Sequence, residues 1–256
     1  MKWPEYLMLI RHDKSAYNAL KDQKKEHPRY GEFLKAWETK PGHPETIELA
    51  KEIQQLFALK ISDAQTPLAK DEGHQAVETG KKLREKYALP DVIFVSPYLR
   101  AQLTLQKITE GWPELKSVKK YNEERIREQE HGLAIIYNDW RVFQTLHPEQ
   151  RLMREQEGNY WYRYPQGENV PDVRLRTHNW MGTLIRDFAG KKVLAVTHHL
   201  TILSLRANFE RLDESGFLHL DEHEKPINCG ITVYRGFPEK GKNGKLELEN
   251  YNQKFY

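Results

Sequence analysis

The sequence predicts an α/β layered fold with a largely parallel sheet, because short apolar runs alternate with longer segments of helical periodicity. The strand-like runs are Tyr6–Ile10, Val92–Val95 and Val193–Val196, each flanked by polar or helix-breaking residues. Between them lie helical patterns at Gly73–Tyr87, Tyr98–Ile108 and Asp172–Phe188. Their apolar stripes are Ala76, Val77, Gly80, Leu83 and Tyr87; then Leu99, Leu103 and Ile108; then Val173, Trp180, Met181, Leu184, Ile185 and Phe188. Packing is the default use of such stripes, so they are read as core.

Two stretches break the alternation. Lys21 to about Ser62 is charged and carries Trp37, Pro41, Gly42 and Pro44 before a helical pattern to Leu59. Ala134 to Tyr164 is rich in aromatics and arginine. Connections this long usually carry their own structure or a functional lid. A turn at Lys240–Lys245 precedes a predicted edge strand, Leu246–Tyr251.

Composition narrows the classes. The chain has 256 residues, with 40 basic and 37 acidic side chains and a net charge of +3, so nothing favours nucleic-acid binding. Lys24-Lys25 and Lys119-Lys120 are interspersed with Glu and read as solvated. The one cysteine, Cys229, lies in an apolar stretch and reads as a buried, inert thiol; it leaves no disulfide or Cys-based zinc site. No segment has the pattern of a secretory signal or a membrane span, which makes a cytoplasmic setting without membrane partners the expectation.

Chemistry concentrates where the apolar runs end. Tyr6–Ile10 runs into Arg11-His12-Asp13-Lys14-Ser15-Ala16-Tyr17-Asn18, which brings a fixed cation and an imidazole to the rim of a sheet. Val92–Val95 is followed by Ser96-Pro97-Tyr98-Leu99-Arg100-Ala101, with Arg100 in the first turn of a helix, a setting suited to anions. Val193–Val196 ends in Thr197-His198-His199. Between them lies Arg127-Glu128-Gln129-Glu130-His131-Gly132. Taken singly, each has an ordinary reading. Arg100 reads equally as a surface arginine, His198 and His199 as structural or solvated histidines, and Glu128 as one glutamate in a solvated run.

As an ordered set, these segments resemble the histidine phosphatase superfamily, also called phosphoglycerate mutase-like, in its broad phosphatase branch. Arg11–Asn18 matches the Arg-His-Gly-x-Ser-x-x-Asn motif apart from Asp13, and Thr66–Ala76 is similar to the Pro-Leu-Thr-x-x-Gly-x-x-Gln-Ala segment. Ser96–Ala101 with Thr104 fits Ser-Pro-x-x-Arg-Ala and its threonine. Ile126–Glu128 with Gly132 resembles the catalytic-acid segment; Tyr164–Asn169 with Asp172, Val173 and Arg176 resembles Phe-Pro-x-Gly-Glu-Ser…Asp-Val…Arg. Val196–His198 matches the last motif.

The resemblance implies one domain over residues 1–256: a three-layer sandwich with a mostly parallel central sheet flanked by helices, plus helical cap insertions at about 19–62 and 134–164. It also implies a phosphomonoester hydrolase working without metal or cofactor on a small phosphorylated substrate. In that role His12 is the nucleophile, Glu128 the general acid and base, Arg11, Arg100 and His198 the phosphate ligands, and Ser15 and Asn18 substrate contacts. Lys21, Lys24, Lys25, Arg141 and Arg163 are candidate cap cations.

Two departures from the pattern stand out: Asp13 replaces a glycine, and His199 replaces the glycine common after the last histidine. Asp13 is expected to point away from phosphate. The alternatives are a mutase-type phosphotransferase, disfavoured by Asp139 in place of a lysine, and an impaired phospho-ligand or protein-binding module. The sequence leaves room for a homo-oligomer.

Overall fold

Strand β1 (Tyr6–Arg11) lies in the middle of the sheet and fixes everything around it. The computed structural model describes residues 2–256. Among these, six strands are ordered β3-β2-β4-β1-β5-β6, where β2 is Val92–Val95, β3 Lys119–Asn122, β4 Lys192–Thr197, β5 Ile231–Phe237 and β6 Lys245–Gln253. The first four strands in that order are parallel, whereas β5 and β6 pair antiparallel at one edge. β1 and β4 are buried on both faces, as apolar runs in parallel sheets are.

Helices cover both faces and complete three layers. Met8, Ile10, Ile93, Val95, Leu194 and Val196 pack against α4 (His74–Lys86) and α5 (Leu99–Gly111). On the other face Leu7, Leu9, Phe94 and Ala195 meet α8 (Val170–Asp187) and α9 (His199–Phe209) through Trp180, Leu184, Ile202 and Leu205. Two glycines let α4 and α5 touch backbone to backbone. A Cβ on Gly80 would lie 2.2 Å from the Ile108 carbonyl oxygen, and one on Gly111 2.1 Å from that of Val77. The α5 stripe differs from its sequence reading, because Ala101, Leu105 and Ile108 are buried while Leu99 and Leu103 are half-buried. Strand β3 is a second difference. Lys119 and Lys120 are solvated, yet they form an edge strand beside β2.

Both long stretches fold into helices. The first contains α1 (Ala16–Glu26), α2 (Pro28–Thr39) and α3 (Pro44–Leu56), with proline opening the last two. The second contains α6 (Trp140–Leu146) and α7 (Pro148–Trp161). Tyr30, Phe33, Leu49, Ala50, Ile53 and Phe57 form a small core with Val142 of α6, so the two stretches pack as a unit. The remaining helix, α10 (Glu214–His223), packs on α9.

A buried ion pair joins the stretches. Lys24 Nζ donates to Asp139 Oδ2 and to the Asn138 carbonyl, both at 2.8 Å, and Tyr30 Oη donates to the same carboxylate at 2.6 Å. Lys24 is therefore structural rather than a cap cation. Arg141 stacks on Trp140, and Arg163 pairs with Asp172.

Removing one member of this pair strands a buried charge. Lys24→Met is expected to lower unfolding free energy by about 3 kcal/mol in urea titrations. Lys24→Met with Asp139→Asn should recover part of that loss; a double variant no better than the single would show that the charges are not coupled.

Candidate active site

Parallel pairing puts β1 and β4 side by side with Arg11 opposite Thr197. One residue further on, His12 N donates to the Thr197 carbonyl at 2.9 Å, and the His12 and His198 rings lie 5.1 Å apart. Both imidazoles are buried. Burial, then the Arg100 charge, holds each ring well below the usual histidine range, with Arg11 adding to the effect. Both are therefore neutral near pH 7.

The hydrogen bonds assign the tautomer of His12. Its Nδ1 is 2.7 Å from the Asp13 carbonyl oxygen, so Nδ1 carries the proton and Nε2 keeps its lone pair. His198 Nε2 is 2.7 Å from Ser96 Oγ, at the end of β2. His198 Nδ1 and Arg11 Nε are buried with no protein partner among the described residues. Buried polar atoms without partners are costly to a fold.

The carboxylate of Asp13 serves a helix. Its Oδ2 accepts from Ala76 N at 3.1 Å and its Oδ1 from Lys14 N at 2.7 Å. Helix α4 starts after Gly73, which offers no side-chain cap, so Asp13 supplies the missing acceptor from a distant strand end. Thr104 Oγ1 accepts from Asp13 N at 2.9 Å and anchors the residue whose carbonyl holds His12. His199 is the first residue of α9, and its Nε2 lies 3.0 Å from Asp221 Oδ1 on α10.

Ser15 caps α1 by accepting from Asn18 N, while Asn18 Oδ1 accepts from Ser15 N. Asn228, which sequence reasoning missed, binds the carbonyl of His12 and reaches Asn18 Oδ1 at 3.4 Å. Arg11 Nη1 donates to the Pro226 carbonyl at 2.7 Å. Arg100 Nη1 donates to the carboxylate and carbonyl of Asp63, another residue not singled out from sequence.

Glu128 is held from two directions. Its Oε1 accepts from Gln129 N and from Leu200 N in the first turn of α9, at 3.0 and 3.1 Å. Its main chain is clamped by Arg176, which donates to the carbonyls of Glu128 and Arg125 while pairing with buried Glu168. Glu168 also receives Arg127 and the amide of Glu130. Two glycines let these segments interlock: a Cβ on Gly132, where φ is +47°, would lie 2.1 Å from the Pro165 oxygen, and one on Gly167 2.4 Å from that of Glu130. Among the described residues, no cluster of three or more His, Cys, Asp or Glu side chains could hold a metal ion, and no helix is long and apolar enough to cross a membrane.

Comparison with known proteins adds relatives. Residues 59–246 match the model of the histidine phosphatase superfamily, branch 1. Two Arabidopsis thaliana proteins are similar: phosphoglycerate mutase-like protein AT74H, 30% identical over 49% of this chain and 46% of its own, and phosphoglycerate mutase-like protein AT74, 32% identical over 37% and 28%. This chain thus spans under half the length of those curated relatives. Among solved structures, mycobacterial glucosyl-3-phosphoglycerate phosphatase superposes with a TM-score of 0.61 at 19% identity, covering 97% of this chain and 98% of that one. An Escherichia coli chain named as a candidate alpha-ribazole-5'-P phosphatase reaches 0.67 at 14% identity, covering 98% and 97%. At these identities the solved structures show the shared fold.

Two measurements test the site's construction. Asp13→Ala should cost about 1 kcal/mol of stability through loss of the α4 cap; an unchanged urea midpoint would remove the capping role. The buried neutral imidazoles also fix a pH dependence. Below about pH 6.5 an unfolded chain takes up protons that folded His12 and His198 refuse, so stability present above that pH is lost on acidification. His198→Asn should make the fall between pH 7 and 5 shallower.

Proposed function

The chain belongs to the histidine phosphatase superfamily, and from that premise we propose that it is a metal-independent phosphomonoester hydrolase working through a phosphohistidine on His12. The observation that carries this reading is the pairing of a neutral imidazole, proton on Nδ1, with a buried unpartnered donor on Arg11 and an unpartnered ring nitrogen on His198. Fixed donors without partners are arranged in advance for charge that a ligand brings.

The steps follow. His12 Nε2 attacks phosphorus as the P–O bond to the leaving alcohol breaks. Arg11, Arg100 and His198 hold the phosphoryl oxygens, so little beyond positioning and charge neutralisation is needed. Glu128 protonates the departing alkoxide and then takes a proton from the water that attacks phosphorus, so that an O–P bond forms as the N–P bond breaks, which releases orthophosphate and restores His12. Ser15 and Asn18 line the start of α1 beside the nucleophile and contact substrate. The helical stretches at 19–62 and 134–164 are insertions of a single domain and cap the pocket. Hydrolysis is favoured over mutase-type exchange, because Asp139, at the mutase lysine position, is consumed by Lys24 in a buried pair.

His12→Ala should abolish turnover of an aryl phosphate, and wild-type turnover should survive excess chelator. Residual activity near wild type in that variant, or loss on chelation, would sink the mechanism. Glu128→Gln should slow alkyl phosphates by about 100-fold or more and aryl phosphates far less. Equal slowing would dismiss Glu128 as the acid.

A further inference from the structure

Arg100 is held by a residue that no motif names. Asp63 sits in the turn that follows the first helical stretch. The turn is tied down from both ends: Thr66 N donates to the Asp63 carbonyl at 3.2 Å, Thr66 Oγ1 to the Ser62 carbonyl at 3.0 Å, and Leu99 N to the Ala64 carbonyl at 2.8 Å. Arg100 Nη1 donates to both the carbonyl and Oδ1 of Asp63, at 2.7 and 2.8 Å. Nη2 reaches Oδ2 only at 3.4 Å. The Tyr98 ring lies 4.9 Å from the guanidinium carbon.

A guanidinium has five donors in a rigid fork. Asp63 uses both hydrogens of Nη1 and leaves Nε with the second hydrogen of Nη2. That edge presents two parallel N–H groups, the arrangement that grips phosphate bidentately. Asp63 also brings a negative charge against a buried cation, since the Arg100 side chain is 5% exposed and that of Asp63 22%. An anion fixed there repels a phosphoryl group on the same guanidinium, in surroundings where water screens poorly.

We propose that Asp63 is a positioning residue for Arg100 and, as a fixed anion beside the phosphate site, sets how loosely the enzyme holds its orthophosphate product. The assignment rests on the phosphatase reading above. It assigns the turn after the first insertion a role in product release, separate from any role of the helices in substrate choice.

Competitive inhibition by inorganic phosphate tests it, measured in the full chain with an aryl phosphate as substrate. Asp63→Asn keeps an oxygen for Nη1 and removes the charge. Its inhibition constant for orthophosphate should fall about tenfold while its thermal midpoint in phosphate-free buffer drops. A purely structural role would lower the midpoint without tightening phosphate. Asp63→Ser, smaller and uncharged, should shift the constant in the same direction if the asparagine variant folds poorly. An unchanged or weaker hold on phosphate in the folded variants, with wild-type turnover still dependent on His12, overturns the role of Asp63 alone. No His12-dependent turnover and no phosphate inhibition in wild type would overturn the phosphatase reading, and the assignment with it.

Discussion

The register of one parallel strand pair organises this molecule. β1 and β4 are apolar on both faces, so hydrophobic burial alone does not choose between a correct alignment and a slip of one residue. The polar ends make the choice. His12 N meets the Thr197 carbonyl, Arg11 N the Gly230 carbonyl, and Cys229 N the Arg11 carbonyl. The first of those bonds exists only where Arg11 faces Thr197, and that alignment sets His12 beside His198, while the other two hold the end of β1 to the start of β5. Parallel strands end on the same rim, so β2 delivers Ser96 and Arg100 to the same place. In this sheet the site is a consequence of strand direction and register.

That rim concentrates positive charge, and carboxylates answer it at fixed points. Asp63 faces Arg100, and Glu128 acts on Arg11 more strongly than any other charged group. Neither carboxylate is left to find its position. Asp63 belongs to a bonded turn, and Glu128 is clamped through Arg176 and Glu168, themselves a buried ion pair. A pair of that kind adds little net stability because both members lose hydration. Its value here is geometric, since Arg176 donates to two carbonyls that only one backbone path can present.

Much of this was legible in the chain, and the physical reasons for the rest are specific. β1, β2 and β4 announce themselves because strands buried on both faces must be continuously apolar. β3 carries no such signal, since Lys119 and Lys120 sit at an edge and face water. Helical periodicity found α4 and α8. In α5 the weaker guide was side-chain size: the buried face is built around Ala101 and Leu105, and small residues are chosen where α4 comes close. The ordered motif residues could be read because the Arg-His and Thr-His pairs stand directly behind strands. Asp63 could not, because its partner lies 37 residues away and nothing in Ser-Asp-Ala-Gln marks a buried contact. Lys24 misled for the opposite reason: a lysine among charged neighbours looks solvated unless Asp139 is known to be opposite.

Asp13 and His199 show how departures from a motif should be weighed. An aspartate beside a phosphate site is harmful only if its charge faces the phosphate. Here the carboxylate turns to an amide in the first turn of α4, and the one atom that His12 Nδ1 meets in this residue, its carbonyl oxygen, is present whatever the side chain. The missing glycine is matched by a second feature: α4 begins at Gly73, which has no cap of its own. At His199 the ring lies toward Asp221 on α10, with Nε2 3.0 Å from its Oδ1. A departure from a motif is therefore judged by whether each atom the motif supplies is still delivered, and at these two positions the fold takes the altered side chains elsewhere while leaving the backbone atoms of the rim in place.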